Sequence, residues 1–271
     1  MNLVEIILNG NCFIAGSRGC GKSSLAMLLA DLLKNNGARI VVIDSSRTWL
    51  KRSSLPYFVK TPKPTSNPYS VFYHWDFKIP NEDIIFDVSR LNVFELREFT
   101  CGFLENIFNV ALELDEHGIR PQVCVIVEEV QNLIPNSSLR SMAYQEISRY
   151  ITQGRNYHCS IIGISQRLAS VDTNLVENCD LRYIGRTNGD NNLRKLRGFG
   201  ISKKDITTIQ NLPKGKFLMH YGTSTSIEDV PYFKSPIKPQ QYIEPQKPKK
   251  PTLIQRIMKA VKGDRKNVRG E

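Results

Sequence analysis

Short unbroken apolar runs alternate along the chain with longer segments whose apolar residues recur every three or four positions. The first pattern belongs to strands buried on both faces, the second to one face of a helix. Runs at 3–15, 39–44, 84–88, 123–129, 159–166, 181–185 and 216–220 predict strands. Residues 22–35, with Leu25, Leu28, Leu29 and Leu32 on one face, predict a helix stopped at Asn35-Asn36-Gly37. Residues 92–115 predict a longer helix carrying Phe94, Phe103, Leu104, Ile107, Phe108 and Leu112 and closed by Gly118, and 138–152 suits a third. Between 45 and 80 the chain is rich in Ser, Pro, Thr and Lys without a period, and it reads as irregular. Strands alternating with helices over about 220 residues predict an α/β fold with a mainly parallel central sheet flanked by helices. Ligands of such sheets sit at the carboxyl ends of the strands.

Composition changes this picture at one end only. The 271 residues are 41% hydrophobic, enough for a sizeable core, and the net charge is +11. Residues 234–271 hold 11 Lys/Arg against 3 Asp/Glu, so most of the excess lies in a tail rich in Pro and Lys. We therefore expect a folded domain over 1–234 and an extended basic tail over 235–271, with a short amphipathic helix at 253–262. That tail could tether the protein electrostatically to nucleic acid or an anionic membrane, or simply solubilise it. No apolar run approaches 18 residues and the N-terminus lacks a basic leader, so neither a transmembrane span nor a signal peptide is expected. The six cysteines include no C-x-x-C pair and fall mostly in apolar runs, as buried thiols of a reducing compartment do.

Chemistry concentrates at the strand ends. Residues 13–26 read FIAGSRGCGKSSLA, and Gly16, Ser17, Arg18, Gly19, Cys20, Gly21, Lys22 and Ser23 complete G-x-x-x-x-G-K-[ST] between a strand and a helix. Gly16 and Gly21 let backbone N–H groups turn inward around phosphate oxygens, and the N-terminus of the following helix, with Ser24 in its first turn as a further nucleotide-binding residue, adds its field. Lys22 supplies a point charge and Ser23 a hydroxyl for Mg²⁺, so ATP with Mg²⁺ is the expected ligand. The plain alternative is a glycine turn ahead of an ordinary helix. The run at 123–129 ends in Glu128 and Glu129, suited to holding the metal and polarising water. Gln166 ends the next run, placed to sense the γ-phosphate. Arg149, Arg155 and Arg167 could balance charge in a transition state, and Arg47, Lys51 and Arg52 could line a nucleic-acid channel; each could equally be a solvated side chain.

GRNYHCSIIGISQRLASVD at 154–172, about 25 residues after VEEVQNLIP at 127–135, resembles the FtsK–HerA superfamily of DNA-pumping P-loop ATPases, with a RecA/ASCE-like fold. The resemblance spans the loop to about residue 186, and its compact size is most like the genome-packaging ATPases of membrane-containing icosahedral viruses. It implies a homo-oligomeric ring, usually a hexamer, that threads double-stranded DNA without reading sequence. It also implies partners at a capsid vertex or internal membrane, and a place in the host cytoplasm or on the virion. Carried over, Lys22 and Ser23 bind phosphate and Mg²⁺, Glu129 is the catalytic base, Gln166 the sensor, and Arg155, with Arg149 in reserve, the finger acting on a neighbour's nucleotide. Two positions depart from the pattern: Glu128 stands where Asp is usual, and Leu168-Ala169 follow Gln166-Arg167 where Pro is common. A conjugation or DNA-end-processing relative and a nucleotide-switched scaffold protein are the alternatives.

Overall fold

Successive residues along each strand face opposite ways, and in this protein each alternate apolar set has its own helical layer. In the computed structural model, which describes residues 3–52, 58–60, 83–136, 142–233 and 240–241, the strands are β1 (Cys12–Ala15), β2 (Arg39–Asp44), β3 (Phe58–Lys60), β4 (Ile84–Asp87), β5 (Val123–Val127), β6 (Cys159–Ser165), β7 (Leu181–Gly185), β8 (Lys216–Tyr221), β9 (Ser224–Asp229) and β10 (Gln240–Gln241). They form one sheet in the order β10-β3-β4-β2-β5-β6-β1-β7-β8-β9. Every pair is parallel except β7–β8 and β8–β9. The main compact unit runs Met1–Gln241.

The helices are α1 (Leu3–Leu8), α2 (Lys22–Asn35), α3 (Thr48–Arg52), α4 (Val93–Glu116), α5 (Met142–Gln153), α6 (Thr173–Glu177), α7 (Asp190–Gly198) and α8 (Lys203–Gln210). Ile40, Val42, Cys124, Ile126, Ile162 and Ile164 pack on one side with α1, α2 and Trp49 of α3. Val41, Ile43, Val123, Val125, Val127 and Ile161 pack on the other with α4 and α5. A capping box starts α4: Asn92 accepts from Phe94 N and Glu95 N while Glu95 reaches back to Asn92 N. The long helix then drives Phe99 and Phe103 edge-on against Phe86 of β4, with centroids 5.1 and 5.0 Å apart.

Buried Asn11 fixes the entry to β1. Its side-chain amide donates to Ile151 O (2.8 Å) and Asn178 O (3.1 Å), and its carbonyl accepts from Ile161 N (3.0 Å). One polar side chain thus ties β1 to β6, α5 and the end of α6, and sets the register Cys12↔Ile162 from which the following loop is launched.

Three expectations need correction. Residues 3–8 are a helix, not the start of the first strand, because Val4, Ile7 and Leu8 stand at i, i+3 and i+4 and bury together. The stretch read as irregular holds α3 and β3, with 53–57 and 61–82 outside the described residues. The hairpin strand β9, STSIED, escaped notice because it is an exposed edge with few apolar residues. The helix expected from 138 is described from Met142, and residues 242–271, including the amphipathic segment at 253–262, lie outside the described residues. Among the described residues no helix is long and apolar enough to cross a membrane.

Candidate nucleotide-binding and catalytic site

The glycine loop leaves β1 at the carboxyl edge of the sheet and turns directly into α2. Gly16 (φ 151°), Gly19 (φ 80°) and Gly21 (φ 114°) hold backbone conformations that other residues rarely adopt. Neighbouring strand ends pin it: Gly16 N donates to Ser165 O (3.3 Å), Ser17 N to Arg186 O (2.8 Å), and Gly215 N to Cys20 O (2.9 Å). Helix α2 begins at Gly21 without a side-chain cap, which leaves its first N–H groups for an anion. Lys22 is 7% exposed, and its Nζ donates to Gly16 O (2.9 Å) and Ser17 O (3.1 Å), so the loop wraps its own ammonium.

The acids follow β5, two strands away. Glu128 is buried and takes hydrogen bonds from the Ser23 hydroxyl and from Trp49 Nε1 (3.1 Å). Burial first, and buried Asp44 second, push its carboxyl up to about 7 against those two bonds. Asp44 ends β2 and receives Ser46 N (3.1 Å), Thr48 N (3.2 Å) and Trp49 N (2.9 Å), which aims the indole at Glu128. Burial raises its carboxyl as well. Glu129 sits at φ 56°, a left-handed turn that swings its carboxylate away from Glu128's direction, where the side-chain amides of Gln131 and Gln166 both donate to it.

The structure therefore brings Arg18, Gly19, Gly21, Lys22, Ser23, Ser24, Glu128, Glu129 and Gln166 to one cleft of about 450 Å³. The finger candidates lie elsewhere. Arg155 precedes β6 at the amino edge of the sheet, 3.9 Å from Asp180. Arg149 on α5 lies over the Phe108 ring at 4.6 Å and 3.7 Å from Glu146. Of the channel candidates, Arg47 is 3.1 Å from Asp87, and Arg52 lines the nucleotide cleft. Sequence reasoning passed over Asp44, Trp49, Lys214 and Tyr232; only Asp44, an acid ending an apolar run like Glu128, carried a readable signal.

A buried carboxylate, Glu128, bonded to the Ser23 hydroxyl suits a cation. Among the described residues no three or more His, Cys, Asp or Glu side chains gather into a metal site. One hydroxyl and one carboxylate fit instead a Mg²⁺ ion that completes its shell with phosphate and water. Ser23 and Glu128 would hold it, and its charge would neutralise the transferring phosphate.

No protein-family model and no curated protein matches this sequence. Solved structures do match it. The genome-packaging NTPase B204 of Sulfolobus turreted icosahedral virus 2, bound to ATP-γS, aligns at TM-score 0.58 and 16% identity over 84% of this chain and 97% of that one. VirB4 of Thermoanaerobacter pseudethanolicus aligns at 0.57 and 15% over 82% and 89%. The bacterial conjugative coupling protein TrwBΔN70 aligns at 0.60 and 12% over 86% and 87%. The fold is that of a P-loop NTPase. Structural neighbours of this P-loop NTPase fold thus include a viral genome-packaging NTPase and a conjugative coupling protein.

Proposed function

We propose that this protein hydrolyses ATP to drive double-stranded DNA through a homo-oligomeric ring, a hexamer in the family it resembles, during packaging of a viral genome. The observation that carries this reading is Glu129, whose carboxylate is held by Gln131 and Gln166 one residue beyond the buried Glu128 and across the cleft from Lys22. Lys22 and the loop N–H groups hold the β- and γ-phosphates, with Ser23 and Glu128 as the metal's protein ligands. Glu129 orients water and takes its proton, and Gln166, on the adjacent strand, links that carboxylate to the state of the γ-phosphate. Arg155, with Arg149 in reserve, serves a neighbouring subunit's nucleotide rather than its own, in keeping with its place at the other edge of the sheet. The chain covers 97% of B204 against 89% of VirB4 and 87% of TrwBΔN70, which supports packaging over conjugation. Capsid-vertex or internal-membrane proteins would then be its partners, in the host cytoplasm or on the virion.

DNA contact falls to a surface that bulk charge concealed. Residues 186–216 hold 8 Lys/Arg and 2 Asp/Glu, whereas the rest of 1–233 holds 18 and 21. Arg194, Arg197, Lys203 and Lys204 are exposed on α7 and α8. Such a surface meets phosphates without reading bases. Asn192 on α7 also accepts from Ala169 N (2.9 Å), three residues past Gln166, so the basic helix and the sensor loop are in contact. Steady-state ATP hydrolysis with and without duplex DNA tests the proposal. We expect DNA-stimulated turnover that Lys22→Ala and Glu129→Gln abolish, and that Arg194→Glu with Arg197→Glu returns to the basal rate. Turnover indifferent to DNA would overturn the translocase reading in favour of a nucleotide-switched scaffold.

A further inference from the structure

Resting on the ATP-binding reading above, we infer that Tyr232 is the wall against which the nucleotide's base stacks, and that Arg52 holds it there. The cleft has two sides. Glu128, Glu129 and Gln166 arrive from β5 and β6, whereas Lys214 precedes β8 and Tyr232 follows β9, beyond β1 in the opposite direction along the sheet. Phosphate chemistry occupies the first side. The second presents a large aromatic ring that remains 66% exposed although it lines a cleft.

That ring is placed, not loose. Val230 N donates to Gly215 O (2.7 Å), which anchors the chain leaving β9 beside the glycine loop. Arg52 Nη2 then donates both to Phe233 O (2.8 Å) and to Ser24 Oγ (2.7 Å) in the first turn of α2. Its guanidinium carbon lies 4.6 Å from the centre of the Tyr232 ring, and Lys214 Nζ lies 5.7 Å from it. One arginine therefore bridges the phosphate-binding helix, the C-terminal segment and the aromatic ring. A nucleotide seated with its γ-phosphate toward Glu129 extends its remaining atoms toward this corner. There, a flat ring held by cations is the surface on which a nucleobase stacks, a contact that tolerates any base because every base has a π-face.

The test compares ligands with and without a base. Titration calorimetry of the full chain would measure ATP and inorganic tripolyphosphate on wild type, Tyr232→Ala and Tyr232→Phe. We expect Tyr232→Ala to weaken ATP about tenfold or more, in the range of one stacked base, while tripolyphosphate affinity is unchanged and Tyr232→Phe keeps the wild-type ratio. An equal loss for both ligands would assign Tyr232 to loop support and overturn the inference, as would no loss for either. If wild type binds tripolyphosphate as tightly as ATP, the base contributes nothing and the inference falls while the phosphate site stands. If wild type binds neither, the ATPase reading itself has failed.

Discussion

Glu128→Gln should make this protein more stable, by an amount that depends on pH. The carboxyl is 5% exposed and rises from 4.5 to about 7, chiefly through burial and then through Asp44. An acid with a raised folded pKa binds its proton more tightly in the native state than in the unfolded one. Its contribution is therefore favourable at low pH and is lost as pH rises from about 4.5 through about 7. At 1.36 kcal/mol per unit, the shift corresponds to about 3 kcal/mol. The amide keeps an oxygen for the Trp49 Nε1 bond but never ionises, so the variant is spared that loss. Urea and thermal unfolding of both proteins in a chelating buffer, across about pH 5 to 8, reads the difference. The pH-dependent difference should shrink to about 1 kcal/mol near pH 5 and reach about 3 kcal/mol above pH 7, roughly 5–10 °C in Tm for a domain of this size. A constant offset at all pH values would refute the reasoning, since it would mean Glu128 ionises in the fold at no cost. On the proposed role of Glu128 as a metal ligand, the gained stability should come with loss of magnesium-supported hydrolysis.

Two further substitutions probe how the loop is held. Asn11→Ala removes three buried hydrogen bonds joining β1 to β6, α5 and the end of α6; it should cost about 2–4 kcal/mol in urea unfolding with an unchanged m-value, and a loss below about 1 kcal/mol would discount that junction. Gly185→Ala places a Cβ 2.9 Å from both Cys20 Sγ and Phe217 Cε1, so the loop must shift; tripolyphosphate affinity should fall at least about tenfold while stability falls by about 1–3 kcal/mol, and undisturbed affinity would refute it.

What the sequence disclosed, it disclosed through burial on both faces of a central strand. β2, β5 and β6 are near-continuous apolar runs because helices cover both sides of the sheet, and their ends could be read to within a residue or two. α1 was misread for the same reason: LVEIIL is nearly all apolar, and six residues are too few for helical and strand spacing to differ plainly. β9 and the short helices α6, α7 and α8 sit at the periphery, where polar residues satisfy local geometry and leave little periodicity. Their charge was equally concealed, because averaging over 1–233 cancels the basic α7–α8 segment against an acidic remainder.

The site divides along the same line. Loop, acids and Gln166 all stand where an apolar run stops, and in a parallel sheet every such stop falls at one edge. Reading strand ends was therefore enough to gather Lys22, Glu128, Glu129 and Gln166 before any coordinates. Trp49, Arg52, Lys214 and Tyr232 reach the cleft by other means: a turn capped by Asp44, and a C-terminal segment returning past the glycine loop. No periodicity marks a residue delivered that way. The strand-end residues are ones a motif can specify, whereas the far corner of the cleft is assembled from distant segments. The Glu at 128 shows how the two parts interlock: its oxygen is met by an indole that only the Asp44 turn can aim, so the departure from Asp is intelligible once Trp49 is seen. Replacing Glu128 by Asp would shorten that reach, which makes Trp49 and Glu128 a pair to be understood together.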